Sequence, residues 1–175
     1  YWNFQSPECD DVAGGNLSQN QSGSTWVASD PLEGGAETDF TLVELDQIPN
    51  PEWNLFLVGW DARDQIPNST TTIHHPSGDE KSISFDFDPP TVTVYLENVS
   101  SADASHWRIA DWDEGTTEGG SSGACLYDSS TKRCVGTLSG GFAACNNDDP
   151  DWYGRTTKQW TGGGTDVTRL STWLD

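Results

Sequence analysis

Residues 118–123, with the sequence E-G-G-S-S-G, have the clearest potential for covalent chemistry in the chain. Glycines permit positive φ angles and let another molecule approach the backbone closely, so a serine between them can expose its hydroxyl on a tight turn. The backbone N–H groups of Gly120 and Ser122 can then converge on one oxyanion. On composition alone, a flexible Gly/Ser loop is the simpler interpretation, because such runs are common in linkers.

Three acidic clusters have the oxygen-rich composition of calcium-binding loops. They are Asp86 with Asp88, Asp111 with Asp113 and Glu114, and Asp148 with Asp149 and Asp151. None of them has the spacing of an EF-hand, so a solvated acidic surface is the preferred interpretation. The sequence predicts no metal site and no cofactor.

The charge of the chain excludes two classes of partner. The 175 residues carry 28 Asp and Glu against 8 Lys and Arg, which gives a net charge of −20. Such a polyanion repels phosphate backbones and anionic lipid, so neither nucleic acid nor a membrane is an expected partner. It attracts basic partners or substrates instead. No apolar run approaches the length needed to cross a bilayer.

The cysteines favour an exported protein. Cys9, Cys125, Cys134 and Cys145 include no C-x-x-C pair, which argues against a zinc ribbon or a redox motif. Cysteines without metal spacing, together with the extreme surface charge, predict a secreted, extracellular location. The chain contains no Met, so it does not begin at a translation start and is either processed or a fragment.

A hairpin around residues 128–131 predicts one disulfide. This loop pairs Tyr127 with Lys132, which places Cys125 directly opposite Cys134. Cross-strand neighbours at non-hydrogen-bonded sites come close enough for a disulfide bond. We therefore expect Cys125 and Cys134 to be bonded.

The periodicity of the chain indicates an all-β domain with one terminal helix. Many short strands separated by turn residues are typical of an antiparallel barrel or sandwich. The apolar run 54–60 predicts a buried strand, and residues 154–160 predict a further strand. Residues 165–174 have helical spacing, with Thr165 as the N-cap. The other main strand candidates are 39–45, 70–75, 81–87, 91–96, 107–112 and 135–138.

Several segments resemble, in the same order, those of bacterial lysyl endopeptidases, which are trypsin-like serine peptidases. The sequences G-G-S-S-G and V-G-T-L-S-G-G resemble the nucleophile region, and the other matching segments are 38–45, 54–64, 73–76, 80–84, 151–155 and 160–174. The resemblance implies a trypsin-like double antiparallel β-barrel with a C-terminal helix. Residues 1–46 would be the remnant of an incomplete first barrel, and residues 54–175 the second barrel with its helix.

The same resemblance assigns catalytic roles. Ser122 matches the nucleophile, and Gly120 and Ser122 match the donors of the oxyanion hole. Asp39 matches the aspartate that orients the catalytic histidine and holds its tautomer. The implied reaction is peptide hydrolysis through an acyl-enzyme.

The histidine of this triad has no match in the chain. The family places it well before the aspartate, whereas His74, His75 and His106 all follow Asp39. We expect His74 and His75 to be ordinary surface or satisfied histidines. Either a separate N-terminal segment of the same precursor supplies the base, or the chain is an inactive piece or a degenerate homologue.

Two cysteines also indicate that an N-terminal segment is absent from the chain. Cys9 and Cys145 match family cysteines whose partners lie in the absent N-terminal region. In this chain they either remain unpaired or pair with each other.

The resemblance also implies a preference for basic substrates. Asp151 matches the acid at the base of the specificity pocket, where a buried carboxylate prefers Lys or Arg because a neutral guest leaves it unpaired. Ser139 stands where lysyl endopeptidases carry a histidine, so either Lys or Arg is expected. Ser139, Gly140 and Gly141 would form the strand edge that binds the substrate backbone.

Two other functions remain open at this stage. A non-catalytic homologue, acting as a secreted structural, adhesion or binding module, would keep Ser122 and Asp39 as relics. A carbohydrate-binding β-domain is suggested by the 9 Trp residues. Tryptophans clustered on one flat face would favour the carbohydrate-binding function, and tryptophans buried in a barrel would not.

Overall fold

The computed structural model describes residues 1–6, 14–32 and 37–174, and this part of the chain is mostly β-sheet. Its strands are β1 (Ser24–Asp30), β2 (Phe40–Leu45), β3 (Thr70–His74), β4 (Ser82–Asp86), β5 (Thr91–Thr93), β6 (His106–Ile109), β7 (Cys125–Asp128), β8 (Cys134–Gly141) and β9 (Asp151–Arg155). Two short helices follow, α1 (Thr156–Thr161) and α2 (Ser171–Leu174). No helix in the described ranges is both long and apolar enough to span a membrane.

Seven strands form an antiparallel sheet that closes on itself. Their order is β4-β3-β7-β8-β9-β6-β5. The segment after β6 returns to β4, where Phe85 N donates to Glu114 O at 2.8 Å and Glu114 N donates to Phe85 O at 3.1 Å. The all-β class, the antiparallel barrel and a C-terminal helix are therefore confirmed.

The barrel is filled by alternating apolar side chains from its strands. Its core includes Trp107, Leu126, Leu138 and Tyr153, all at most 5% exposed. Gly136 of β8 makes room for the indole, because a Cβ there would lie 3.1 Å from Trp107 Cδ1. The indole Nε1 donates to Val135 O at 3.0 Å, so its polar atom is also satisfied inside the core.

The hairpin of β1 and β2 forms a separate two-stranded sheet. Its inner face contributes Ala28 and Phe40 to a second apolar cluster with Leu170. The hairpin therefore packs against the C-terminal part of the chain, and this packing places the start of β2 beside the barrel.

Residues 54–60 do not form the predicted buried strand. Phe56 is 86% exposed and Leu57 is 83% exposed. The segment lies along an open apolar groove of about 760 Å³, and only Trp60 makes a bridge, to Cys134. The nearby barrel strand β3 already pairs with β4 on one side and β7 on the other, so it offers no free edge to this run.

The C-terminal predictions were also partly wrong. The strand predicted at 154–160 ends at Arg155, and the chain continues as α1. Of the helix predicted at 165–174, only Ser171–Leu174 is helical. Thr165 does not act as an N-cap: its N–H donates to Thr168 Oγ1 at 3.1 Å. Such local side-chain bonds compete with the helical ladder.

The predicted disulfide between Cys125 and Cys134 is present, with the two Cα atoms 5.6 Å apart. The predicted register was wrong, because Cys125 pairs with Thr137 and Tyr127 pairs with Cys134. A bulge between Leu126 and Tyr127 shifts the strands and brings the two cysteines together diagonally. Cys145 is exposed and has no disulfide among the described residues, whereas Cys9 lies outside them.

Candidate active site

The serine-bearing segment is a tight turn attached to strand β8. Ser121 N donates to Glu118 O at 3.1 Å, and Gly123 N donates to Leu138 O at 2.8 Å. Gly120 and Gly123 have φ angles of +98° and +83°, which glycine adopts without steric cost. Ser122 lies between them and is exposed, so its hydroxyl is open to another molecule.

Asp39 is half-buried. It lies beside Thr137, the residue that precedes Leu138 in β8. The Thr137 hydroxyl donates to the Asp39 carbonyl at 3.3 Å. Gly154 of β9 permits this approach, because a Cβ there would lie 2.0 Å from the Thr38 carbonyl oxygen. Strand β8 therefore anchors the Asp39 backbone at Thr137 and the Ser122 turn at Leu138, two successive positions.

Gln159 of helix α1 holds the segment that carries Asp39, and the sequence analysis missed it. Its side chain is 1% exposed. Its Nε2 lies 3.0 Å from the Thr38 carbonyl oxygen and 2.7 Å from Thr137 Oγ1. The sequence analysis predicted a strand at 154–160 and therefore missed this role, because Gln159 faces β8 only when its segment is helical.

Asp151 is a buried carboxylate at the start of β9, 1% exposed. It accepts hydrogen bonds from Trp112 Nε1 at 2.9 Å and from Thr117 Oγ1 at 2.6 Å. Desolvation raises the pKa of the carboxyl group, and these two hydrogen bonds oppose the shift. Gly141 faces it across the sheet, and a Cβ at that position would lie 2.2 Å from Asp151 Oδ1.

Residues 139–141 extend β8 beyond its pairing with β7. That pairing ends at Thr137, whereas Gly140 and Gly141 remain paired with β9. Among the described residues, this stretch therefore keeps one free strand edge, to which an extended peptide can add. The Ser139 hydroxyl is bonded to His106 Nε2 at 3.0 Å.

Two of the three histidines are buried between serine hydroxyls. His74 Nδ1 lies 2.9 Å from Ser121 Oγ and its Nε2 lies 3.2 Å from Ser84 Oγ. His106 Nδ1 lies 2.8 Å from Ser105 Oγ. Burial lowers the pKa of both rings to about 4, and the neighbouring His75 adds to the effect at His74.

None of the histidines is hydrogen-bonded to Ser122 or to Asp39. His75 instead binds the Asp79 carbonyl through Nδ1, at 3.0 Å, and stacks on Phe4. His74 is a satisfied histidine, as the sequence predicts, but it is bonded to the serine next to Ser122. No pattern in the sequence predicted the contact between His74 and Ser121, because the two residues are 47 positions apart.

The acidic clusters and the tryptophans were the other candidate sites. Within the described ranges, no group of three or more His, Cys, Asp or Glu residues is arranged to hold a metal ion. Trp107, Trp112 and Trp152 are buried, at 1%, 8% and 2% exposure, and so are not available to stack on a sugar. Trp26, Trp60 and Trp173 are exposed, at 53%, 39% and 48%.

Comparison with known proteins adds a family and a structural likeness. A family model described as the lysyl endopeptidase, C-terminal domain, matches residues 1–154. A mutant of Rv3671c from M. tuberculosis H37Rv, solved in its inactive form, is 14% identical with a TM-score of 0.47. The match covers 75% of this chain and 58% of that chain.

Proposed function

Since the chain belongs to the family of lysyl endopeptidase C-terminal domains, we propose that it is the nucleophile-bearing part of a secreted serine endopeptidase. In this proposal, residues 1–46 are the remnant of a first barrel and residues 54–175 form the second. The observation that carries the proposal is the attachment of the Ser122 turn and of Asp39 to successive residues of β8. The Cys125–Cys134 disulfide supports an oxidising compartment.

The reaction is acyl transfer. Ser122 Oγ attacks the scissile carbonyl carbon, and its proton passes to a histidine from outside these 175 residues, which Asp39 orients. The N–H groups of Gly120 and Ser122 stabilise the oxyanion of the tetrahedral intermediate. The imidazolium then protonates the leaving amine, and water hydrolyses the Ser122 ester to regenerate the hydroxyl.

The substrate side chain is Lys or Arg, because Asp151 supplies a buried carboxylate for it. The carboxylate accepts from the neutral donors Trp112 and Thr117 and from the Ala143 backbone. A guest ammonium or guanidinium would compensate its charge, whereas a neutral guest would leave it uncompensated. Gly141 lies against the carboxylate, where a Cβ would collide with Asp151 Oδ1 at 2.2 Å. The substrate backbone adds to the free edge of residues 139–141, and the net charge of −20 favours encounter with basic peptides.

Covalent labelling of the full-length protein tests the assignment of Ser122. We expect a lysine-bearing diphenyl phosphonate to label the wild-type protein, and Ser122→Ala to abolish the labelling. Ser130→Ala is the matched control, since Ser130 is exposed in the β7–β8 turn and should not affect labelling. Persistent labelling of Ser122→Ala would show that another residue is the nucleophile.

The same reagent tests Asp151. We expect the lysine probe to react about 1,000-fold faster than a leucine probe, and Asp151→Asn to remove most of this preference. Equal rates for both probes in the wild-type protein would contradict the proposed Lys/Arg specificity while leaving Ser122 as the nucleophile.

A further inference from the structure

A directed chain of hydrogen bonds runs from strand β4 to the turn that carries Ser122. Ser84 Oγ donates its one hydrogen to the Thr116 carbonyl at 2.8 Å, so it accepts from His74 Nε2–H at 3.2 Å. The neutral imidazole then has no proton on Nδ1, which accepts the Ser121 hydroxyl at 2.9 Å. Glu118 N donates to the same Ser121 oxygen at 3.4 Å, so the Ser121 side chain closes the turn.

The residues after His74 hold the other side of this turn. Ser77 N donates to the Gly119 carbonyl at 2.7 Å, and Ser77 Oγ donates to Glu118 Oε2 at 2.9 Å. In a trans peptide the C=O and N–H groups point in opposite directions. The bond to the Gly119 carbonyl therefore directs the Gly120 N–H away from Ser77.

The two segments are in van der Waals contact at Gly120. A Cβ on this residue would lie 3.4 Å from Ser77 N and 3.5 Å from the His75 carbonyl. The φ angle of +98° also disfavours any residue with a side chain. The orientation of the Gly119–Gly120 peptide thus depends on the segment that begins with His74.

From these contacts we propose that His74 is a positioning residue, which holds the N–H groups of Gly120 and Ser122 in the orientation that binds an oxyanion. It acts through Ser121 and touches neither Ser122 nor the substrate site. The catalytic meaning of this role rests on the proposed function, whereas the coupling between His74 and the turn is measurable without any activity.

The proposal predicts an acid-sensitive turn. A proton on Nδ1 turns this acceptor into a donor, so the Ser121 hydroxyl can no longer donate to it. The ionisable groups that act on His74 in the described structure are His75, which lowers its pKa, and Glu118, which raises it. Burial is the largest effect and keeps the pKa at about 4, so Nδ1 accepts from Ser121 at neutral pH, and this hydrogen bond reverses its direction near pH 4.

Nuclear magnetic resonance on the ¹⁵N-labelled chain tests the coupling. In the wild-type protein we expect the imidazole nitrogens of His74 to report the Nε2–H tautomer, and the amide signals of residues 119–123 to shift together near pH 4. His74→Asn keeps an acceptor close to the Nδ1 position but does not titrate. It should keep the neutral-pH signals of the turn and lose the acid transition.

Two further variants complete the design. His74→Leu has no acceptor, so it should displace the amide signals of residues 119–123 at pH 7 while those of Leu126 and Tyr153 stay in place. His75→Asn is the matched control and should keep both the neutral-pH turn signals and the acid transition, which moves to slightly higher pH because His75 lowers the pKa of His74. If His74→Leu fails to fold, the tautomer of His74 and the pH titration of His74→Asn still test the proposal. An Nδ1–H tautomer in the wild-type protein would overturn it, and so would an acid transition that persists in His74→Asn.

Labelling of Ser122 in the full-length protein separates this proposal from the proposed function. We expect His74→Leu to slow phosphonate labelling by about tenfold or more, and His74→Asn to restore most of the rate. Turn signals that respond to His74, without any labelling of Ser122, would support the coupling and contradict the peptidase assignment. If Ser122 is labelled but the turn signals do not change in His74→Leu, the peptidase assignment is supported and the coupling to His74 is contradicted.

Discussion

His74 and His106 are two histidines in nearly the same environment with different structural consequences. Both are buried, at 2% and 0% exposure. Each ring lies between two serine hydroxyls, and burial lowers the pKa of each to about 4. They differ in what their hydrogen bonds connect.

At His74, one serine passes its hydrogen on to the Thr116 carbonyl, and the other belongs to the turn beside Ser122. The tautomer is therefore fixed, and its acceptor nitrogen faces a segment without regular secondary structure. His106 joins β6 to Ser139 of β8 and lies against Tyr95, with the ring centroids 5.3 Å apart. Protonation of His106 therefore acts on paired strands, and protonation of His74 acts on a turn.

Acid should destabilise the fold through both rings, and this is the largest effect we expect. Each folded pKa of about 4 lies below the ordinary 6.5, so the unfolded chain binds the proton more readily. The stability that each neutral ring contributes is complete above pH 6.5 and is lost as the pH falls toward 4. After allowance for solvent screening, this loss is about 2 kcal/mol per histidine, or about 4 kcal/mol for both.

Urea unfolding at pH 7 and pH 4 measures the loss. Replacing either histidine with Asn should remove about half of the histidine contribution, and the double variant should leave only the pH dependence of the carboxyl groups. His75→Asn provides the control, because His75 is only half-buried. If His74→Asn retains the full wild-type pH dependence, the equivalence of the two rings is refuted, and only His106 is held neutral by the fold.

The sequence predicted strands, a disulfide and candidate catalytic residues, because these features have short-range signatures. Alternation predicted β4, and a serine between glycines predicted a tight turn at Ser122. The two buried histidines had no such signature, since each has a partner that is distant in the sequence. A contact such as His74–Ser121 exists only after the barrel brings β3 beside the turn.

The errors in the prediction have the same origin. The apolar run 54–60 has the composition of a buried strand, but no free sheet edge is left for it beside β3. Residues 154–160 span the change from β9 to α1. That change turns Gln159 toward Asp39, and periodicity over seven residues is too short to reveal it.

Removing one serine from each site should distinguish the two histidines more finely. Ser84 is 1% exposed, and Ser84→Ala leaves both His74 Nε2–H and the Thr116 carbonyl without a partner. We expect a loss of about 2 kcal/mol in the free energy of unfolding. Ser105 is only partly buried, so water can replace its hydroxyl, and Ser105→Ala should cost about 0.5 kcal/mol.

Chemical denaturation at pH 7 gives both values. A matching check comes from the imidazole ¹⁵N shifts, because Ser84→Ala should weaken the preference of His74 for Nε2–H and leave His106 unchanged. Equal losses in the two variants would mean that the Ser84–Thr116 bond does not distinguish the two sites.

Asp86 extends the comparison to a buried acid whose effect has the opposite sign and the smallest expected size. Desolvation, followed by the charges of Asp113, Asp88 and Asp111, raises its pKa from 3.8 to about 6. The folded state therefore holds this proton more tightly than the unfolded chain, and the associated stability is lost as the pH rises from 3.8 through 6. Where both histidines stabilise the fold at neutral pH relative to acid, Asp86 destabilises it.

Asp86→Asn should therefore stabilise the protein by about 1 kcal/mol at pH 8, after allowance for solvent screening, and by about half as much at pH 5. The amide keeps an oxygen to accept from Asp88 N, which donates to Asp86 Oδ1 at 3.0 Å. Asp88 is exposed, so Asp88→Asn should change stability by less than about 0.5 kcal/mol. A loss of stability in Asp86→Asn at pH 8 would show that the fold needs this carboxylate ionised. Its buried position would then have to be explained by a cation or a donor that faces it.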